Sequence, residues 1–277
     1  MPVDARRFIR KMRGGAQAHL IEAVDGYNYV VKFFNNPQHP RILVNEWMAS
    51  VFLRYLGIAT PEAMMIRVTP EFLEQNPEVS FQVGRGRRPV EPGWHYGSRF
   101  PGDPAKLVVY DFLPDTLLHQ VANRPDFFGT LAFDQWMGNA DSRQAVFFRA
   151  RVREWLPSSE VHPERLGFVA QMIDHGFVFD GPNWRLHESP LQGLYHRPVV
   201  YESVRGLDDF QPWLERILHF PDTVIDQAVK QLPSAWLAGD ENGLMGLLEQ
   251  LLRRRRRVAH LLEDCHRART HLFPNWR

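Results

Sequence analysis

Apolar and polar positions alternate along residues 18–24 and again along residues 27–34, with Asp25 and Gly26 between the two runs. A period of two buries one face of a strand, and an Asp-Gly pair suits the backbone of a tight turn, so this segment reads as a β-hairpin. Pro37 and Pro40 end the alternation. Over residues 42–56 the period lengthens: Leu43, Trp47, Val51 and Tyr55 recur every four positions and Gly57 follows, which predicts an amphipathic helix with a glycine stop. Residues 63–68 and 106–110 read as further strands. Between them, residues 69–103 are broken by repeated Pro and Gly, including the arginine-rich stretch from Gly84 to Pro89. That stretch is expected to be irregular apart from a short strand at residues 80–83.

The second half opens with a bulky apolar helix over residues 127–137, ended by Gly138 and Asn139. A polar turn at residues 139–142 precedes two apolar strands, residues 145–148 and 166–173, separated by a connector that contains proline. Asp174, His175 and Gly176 end the second strand. Each strand thus adjoins an acidic loop. The remainder has helical periodicity at residues 208–218, 222–231 and 244–267, the last interrupted by Arg253 to Arg257. The expected fold class is α+β: residues 1–112 as a lobe of antiparallel sheet plus helix, and residues 113–277 as a largely helical lobe.

Composition narrows the function classes. With 277 residues and 44% hydrophobic content the chain can bury a sizeable core, which excludes a fibre, a disordered tail and a disulfide-stapled mini-domain. Lys and Arg number 33 against 32 Asp and Glu, and a net charge of +1 gives no bulk attraction to nucleic acid. Cys265 is the only cysteine, so no internal disulfide forms, in keeping with a reducing compartment. No apolar run approaches the roughly 18–20 residues of a membrane span, and the first residues lack the apolar stretch of a secretory signal. A cytoplasmic protein with no membrane partner is expected.

Candidate chemistry concentrates in a few places. Lys32 follows two valines in a strand and can hold phosphate oxygens if a carboxylate fixes it; Glu46 is the natural candidate, although these residues by themselves read first as a snorkelling lysine and a solvated glutamate. Gly14, Gly15 and Gln17 either supply backbone amides over phosphates or simply form a turn. Asp141 sits where a carboxylate can orient or deprotonate an attacking hydroxyl, and Asp174 is a hard oxygen ligand suited to Mg2+. The arginines at 253–257 are either a solvated or ion-paired helix face or a local patch for nucleic acid.

In this order, Gly14-Gly15, Lys32, Glu46, the strand leading through Tyr110 into Asp111 and Phe112, Gly138-Asn139-Ala140-Asp141, and Ile173-Asp174-His175-Gly176 resemble the HipA-like branch of the protein-kinase-like superfamily over roughly residues 10–180, in its compact free-standing form. The resemblance implies a two-lobed protein-kinase-like fold and an ATP- and Mg2+-dependent phosphotransferase acting on a protein serine or threonine. It implies that Gly14, Gly15 and Gln17 cover the nucleotide, that Lys32 contacts its phosphates and Glu46 orients Lys32. Tyr110, Asp111, Phe112 and Leu113 become the inter-lobe hinge that meets adenine, Asp141 the catalytic base and Asp174 the metal ligand. Val146 departs from the family pattern, which places a metal-binding asparagine there. Valine cannot ligate a metal, so either Gln144 substitutes, one protein ligand fewer is used, or transfer is lost and the chain is a nucleotide-binding pseudokinase or scaffold.

Overall fold

The computed structural model describes residues 2–156 and 165–277. In its N-terminal part, β1 (Val3–Lys11), β2 (His19–Ala23), β3 (Asn28–Lys32), β4 (Ala63–Val68) and β7 (Gly93–Arg99) close into a barrel in the order β1-β2-β3-β7-β4. The predicted hairpin is β2–β3, paired antiparallel from His19–Val31 to Glu22–Asn28. Tyr29, Val31 and Phe33 point into the barrel with Ile21, Ile66 and Phe81. Strand alternation therefore turns Val30 and Lys32 to the other side, away from the barrel interior.

Two barrel strands are not evident in the sequence. β1 carries four cationic residues among its nine and so lacks a clean apolar alternation. β7, read as part of an irregular excursion, contains Gly93, His95, Gly97 and Ser98, yet it pairs with β3 on one side and β4 on the other. Hydrogen bonding from two neighbours overrides weak local propensity. The rest of the excursion holds α2 (Pro70–Gln75), capped by Thr69, and a separate hairpin of β5 (Ser80–Val83) and β6 (Gly86–Pro89).

The predicted helix is α1 (Arg41–Leu56), ended by Gly57 at φ 75°. Its burial differs from the expected single stripe: residues from Ile42 to Ser50 are buried all around, whereas Tyr55 is exposed. A helix that is apolar on every side is a core helix. Accordingly, Leu43, Trp47, Phe52 and Leu53 join the hydrophobic core of the C-terminal part rather than the barrel interior.

The connection from β7 runs through residues 100–108 to β8 (Val109–Tyr110), which pairs with β9 (Gln144–Arg151). The strand expected at residues 106–110 is thus shortened to two residues and belongs to the C-terminal sheet, ordered β10-β9-β8. After α3 (Asp115–Leu118), α4 (Asp126–Met137) is buried along nearly its whole length. β9 leads through α5 (Val152–Trp155) towards β10 (Leu166–Ile173); residues 157–164 of the expected proline-containing connector lie outside the described residues. The β9–β10 ladder is unbroken from Arg151–Leu166 to Gln144–Ile173. That register sets the two acidic loops side by side at one end of the sheet.

The tail continues with α6 (Pro198–Tyr201), α7 (Trp213–Leu218), α8 (Asp222–Lys230), α9 (Ser234–Leu237), α10 (Glu241–Arg254) and α11 (Val258–Ala268). The helix expected at residues 208–218 is divided by Pro212, which lacks the amide a helix interior needs. The helix expected at 244–267 is divided at Arg255–Arg257. Among the described residues no helix is long and apolar enough to cross a membrane.

Candidate active site

Lys32, at the end of β3, lies between two carboxylates from different parts of the fold. Its Nζ forms an ion pair with Glu46 Oε1 on α1 and donates to Asp174 Oδ1, 2.7 Å away, just beyond β10. Burial works against the lysine charge, but the two carboxylates outweigh it and raise the pKa above the usual lysine value, so the side chain stays an ammonium. Burial pushes the Glu46 carboxyl up while Lys32 opposes it. For Asp174 the Lys32 charge dominates and holds the pKa below the ordinary aspartate range. The Glu46 side chain is 1% exposed, but Asp174 keeps 38% of its side-chain surface open to ligands.

Asp174 adopts φ 58°, a left-handed conformation uncommon outside glycine and tolerated best by Asp and Asn. The adjoining loop makes this possible. A Cβ at Gly176 would sit 2.7 Å from Ile42 Cγ2, so glycine there lets α1 approach closely enough for Glu46 to reach Lys32. Asn45, one residue before Glu46 and fully buried, shares the two N–H donors of its Nδ2 among the carbonyls of Gly176 (2.8 Å), Val178 (3.0 Å) and Gly181 (2.9 Å). Its Oδ1 accepts from Trp184 Nε1 at 2.9 Å. One amide therefore fastens the helix that carries Glu46 to the loop that carries Asp174.

The loop with Asp141 is built on Asp134 of α4. Arg143 forms a buried, two-pronged ion pair with Asp134, including Nε to Oδ2 at 2.8 Å, and Asn139 Nδ2 donates to Asp134 Oδ1 at 3.0 Å. Arg143 Nη1 also donates to the Ile173 carbonyl (2.9 Å) and to His175 Nδ1 (2.8 Å). Burial and the Arg143 charge drive the His175 pKa well below 6.5, so the ring is neutral. With Nδ1 accepting, Nε2–H donates to Thr60 Oγ1 (3.1 Å), whose hydroxyl donates to the Met172 carbonyl (3.0 Å). Backbone bonds from Ala140 N to Phe177 O and from Gly193 N to Asp141 O complete the clamp. Asp141 itself is exposed, and its Oδ1 accepts from Ser142 N at 2.7 Å.

The remaining candidates fall in several places. Gly14 and Gly15 lie in the loop between β1 and β2, where a Cβ on Gly15 would meet the Gln38 amide at 3.1 Å, so the loop comes down onto the segment after β3. The Gln17 side chain faces elsewhere: it exchanges two hydrogen bonds with the Gln82 backbone of β5. Gln144 and Val146 share one face of β9 by strand alternation, and the ladder sets Gln144 opposite Ile173, the residue before Asp174. Tyr110, Asp111 and Phe112 are exposed and Leu113 is buried; they follow the inter-lobe connection, with Tyr110 paired to Phe147 in the C-terminal sheet.

Sequence reasoning missed Asn45, Thr60 and Asp134. An Asn inside the apolar α1, and an Asp three residues before the end of the apolar α4, were the available signals for two of them, since buried polar groups need partners. Arg253 to Arg257 follow the ion-paired alternative for the most part. Arg254 is buried and donates to the Gln135 carbonyl, while Arg253, Arg255 and Arg257 pair with Glu249, Asp222 and Glu188.

Comparisons with known proteins bear on the fold and the family. The chain matches a Golgi casein kinase structure at 11% identity and TM-score 0.51, covering 96% of this chain and 73% of that one. It also matches a structure of the Golgi casein kinase with Mn/ADP bound at 10% identity and TM-score 0.49, covering 97% of this chain and 73% of that one. The first likeness shows a kinase-like fold. No curated protein matches. The family described as HipA-like kinase matches residues 6–147, which include Lys32, Glu46 and Asp141 but stop before Asp174. With over half of its length matched, the chain belongs to the HipA-like kinase family, whose members are kinase-type phosphotransferases by description.

Proposed function

We propose that the protein transfers the γ-phosphoryl group of ATP to a serine or threonine hydroxyl of another protein, with Mg2+ as the metal. The observation that carries this reading is Lys32 held between Glu46 and Asp174, a cation from the sheet meeting a carboxylate from the opposite lobe. Such a pair offsets charge on a bound triphosphate.

The donor set fits a hard divalent ion. Asp174 and the Gln144 amide oxygen are oxygen ligands, and Mg2+ commonly takes one or two protein oxygens and completes its shell with phosphates and water. Among the described residues no group of three or more His, Cys, Asp or Glu is placed to hold a metal ion. Bound there, the ion would neutralise charge developing on the phosphates. Lys32 would hold phosphate oxygens, Glu46 would keep Lys32 in place, and the Gly14–Gly15 loop would exclude water from above. Asp141 would accept the proton of the acceptor hydroxyl as its oxygen bonds to the γ-phosphorus. The bond from that phosphorus to the bridging oxygen breaks, and ADP leaves.

Labelled ATP with Mg2+ and a lysate of potential acceptors tests this. Transfer that Asp141→Ala lowers by at least about a hundredfold, with nucleotide binding retained, supports it; equal transfer by both proteins sinks it. Val146 favours a second reading, a nucleotide-binding scaffold. Tight ATP binding without transfer to any acceptor or to the protein itself would select it.

A further inference from the structure

The arginine-rich stretch of the excursion, residues 84–88, serves none of the roles assigned so far. It forms the turn and second strand of the β5–β6 hairpin, and β6 is exposed at every position. The hairpin is fixed to the glycine loop: Gln17 exchanges its two side-chain bonds with the Gln82 backbone, and Gln82 is paired with Arg87. Lys11, at the end of β1, donates to the Ser80 carbonyl at 2.6 Å, and its pKa is lowered by burial and then by the charge of Arg87. Lys11 is thus held against the hairpin that carries Arg87. Arg13 stands one residue before Gly14.

These cations differ in their commitments. Arg88 lies 5.2 Å over the Phe81 ring and donates to the Asn35 carbonyl, so it supports the hairpin. Arg6 and Arg7, earlier on β1, both pair with Glu22. Arg13, Arg85 and Arg87 are exposed and have no carboxylate partner among the described residues. No acidic residue occurs in residues 5–21 or 79–90. In a chain of net charge +1, this is a local concentration of uncompensated positive charge on a hairpin and strand end beside the loop expected to cover the nucleotide.

We propose that Arg13, Arg85 and Arg87, with Lys11, form a docking ledge for an acidic segment of the acceptor protein. The inference rests on the phosphotransferase reading for the word acceptor, but not for binding itself. An acidic polypeptide suits the ledge better than nucleic acid. The group is small, and its aromatic neighbour Phe81 is buried, so there is no exposed ring here on which bases could stack. A chain held by this ledge approaches the cleft from the side of the glycine loop.

The test uses the full protein and a short fluorescent Glu-rich peptide with one central Ser, beside an uncharged peptide of the same length and a single-stranded oligonucleotide of matching charge. Anisotropy reads binding and labelled ATP reads transfer. The wild type should bind the acidic peptide best. Arg85→Glu/Arg87→Glu should weaken that binding about tenfold and raise the peptide KM similarly, leaving the ATP KM unchanged. Arg85→Lys/Arg87→Lys should retain most of the binding, which separates charge from folding. Acidic-peptide binding without transfer keeps the ledge, and the phosphotransferase reading falls only if transfer to the lysate and to the protein itself is also absent. Equal binding of acidic and uncharged peptides, no response to charge reversal, or tighter binding of the oligonucleotide overturns the ledge whether or not transfer occurs.

Discussion

Arg143 meets Asp134 in an ion pair whose side chains are 1% and 0% exposed, and the same guanidinium holds the backbone before Asp174. One buried charge pair thus sets the position of both acidic loops. Removing one partner leaves the other charged and dry, which is more damaging than losing an exposed pair. Arg143→Met should lower stability by about 3–5 kcal/mol, measured as a shift in the urea midpoint. Arg143→Met with Asp134→Leu should be less destabilised than Arg143→Met alone, but should still lose transfer, because the contacts to Ile173 and His175 do not return. A double variant with full transfer would show that the pair only supports the fold.

Asn45 joins α1 to the loop after Asp174. Asn45→Ala leaves the Trp184 N–H and up to three carbonyls without their partner, at a cost of at least about 2 kcal/mol. It should also weaken nucleotide binding, since Glu46 and Asp174 no longer share one frame. Calorimetry on ATP and a thermal melt read the two effects separately. Lost stability with unaltered affinity would remove Asn45 from the positioning of the site.

The acid limb of stability should carry a signature of Asp174. Its native pKa lies below the unfolded value near 3.9, so its ionised form favours the folded state above that pH, and the contribution disappears as pH falls through the lower native pKa. Asp174→Asn should be less stable than wild type near neutrality, with the difference closing in strong acid. Lys32 is shifted the other way: its contribution is present below the unfolded lysine value near 10.4 and is lost as pH rises through the higher native one. Urea midpoints across pH for wild type, Asp174→Asn and Lys32→Met test both signs, and parallel curves would contradict them.

Gly193 has φ +65°, and a Cβ there would lie 2.0 Å from Asp134 Cβ. Gly193→Ala must displace the strand-like contact that holds Asp141 and Arg143 through Gly193 N and Leu194 O. A loss of about 3 kcal/mol is expected from overpacking and the left-handed backbone together. The melt of the purified variant measures it. A change below about 0.5 kcal/mol would mean that the loop yields easily.

Gln144 shares its strand face with Val146 and lies opposite Ile173, next to Asp174 in the chain. Gln144→Leu should raise the Mg2+ concentration for half-maximal transfer several-fold, while Val146→Ala should not. Metal titrations at saturating ATP distinguish them. Identical curves would leave Asp174 as the sole protein ligand.

What was legible in the sequence was local. The β2–β3 hairpin, α1 with its glycine stop, α4 and the strands β9 and β10 taken singly follow from periodicity and turn residues, because those signals run between near neighbours in the chain. The positions of Lys32, Glu46, Asp141 and Asp174 could be singled out by residue type and order. Contact order hid the rest. β7 becomes a strand only between β3 and β4, and the all-round burial of α1 depends on the C-terminal core. Convergence of Lys32 and Asp174, 142 positions apart, depends on how the barrel and the β9–β10 sheet face each other. Asn45, Thr60 and Asp134 gained their roles the same way: burial left each polar group requiring a partner, and only the tertiary structure supplies those partners.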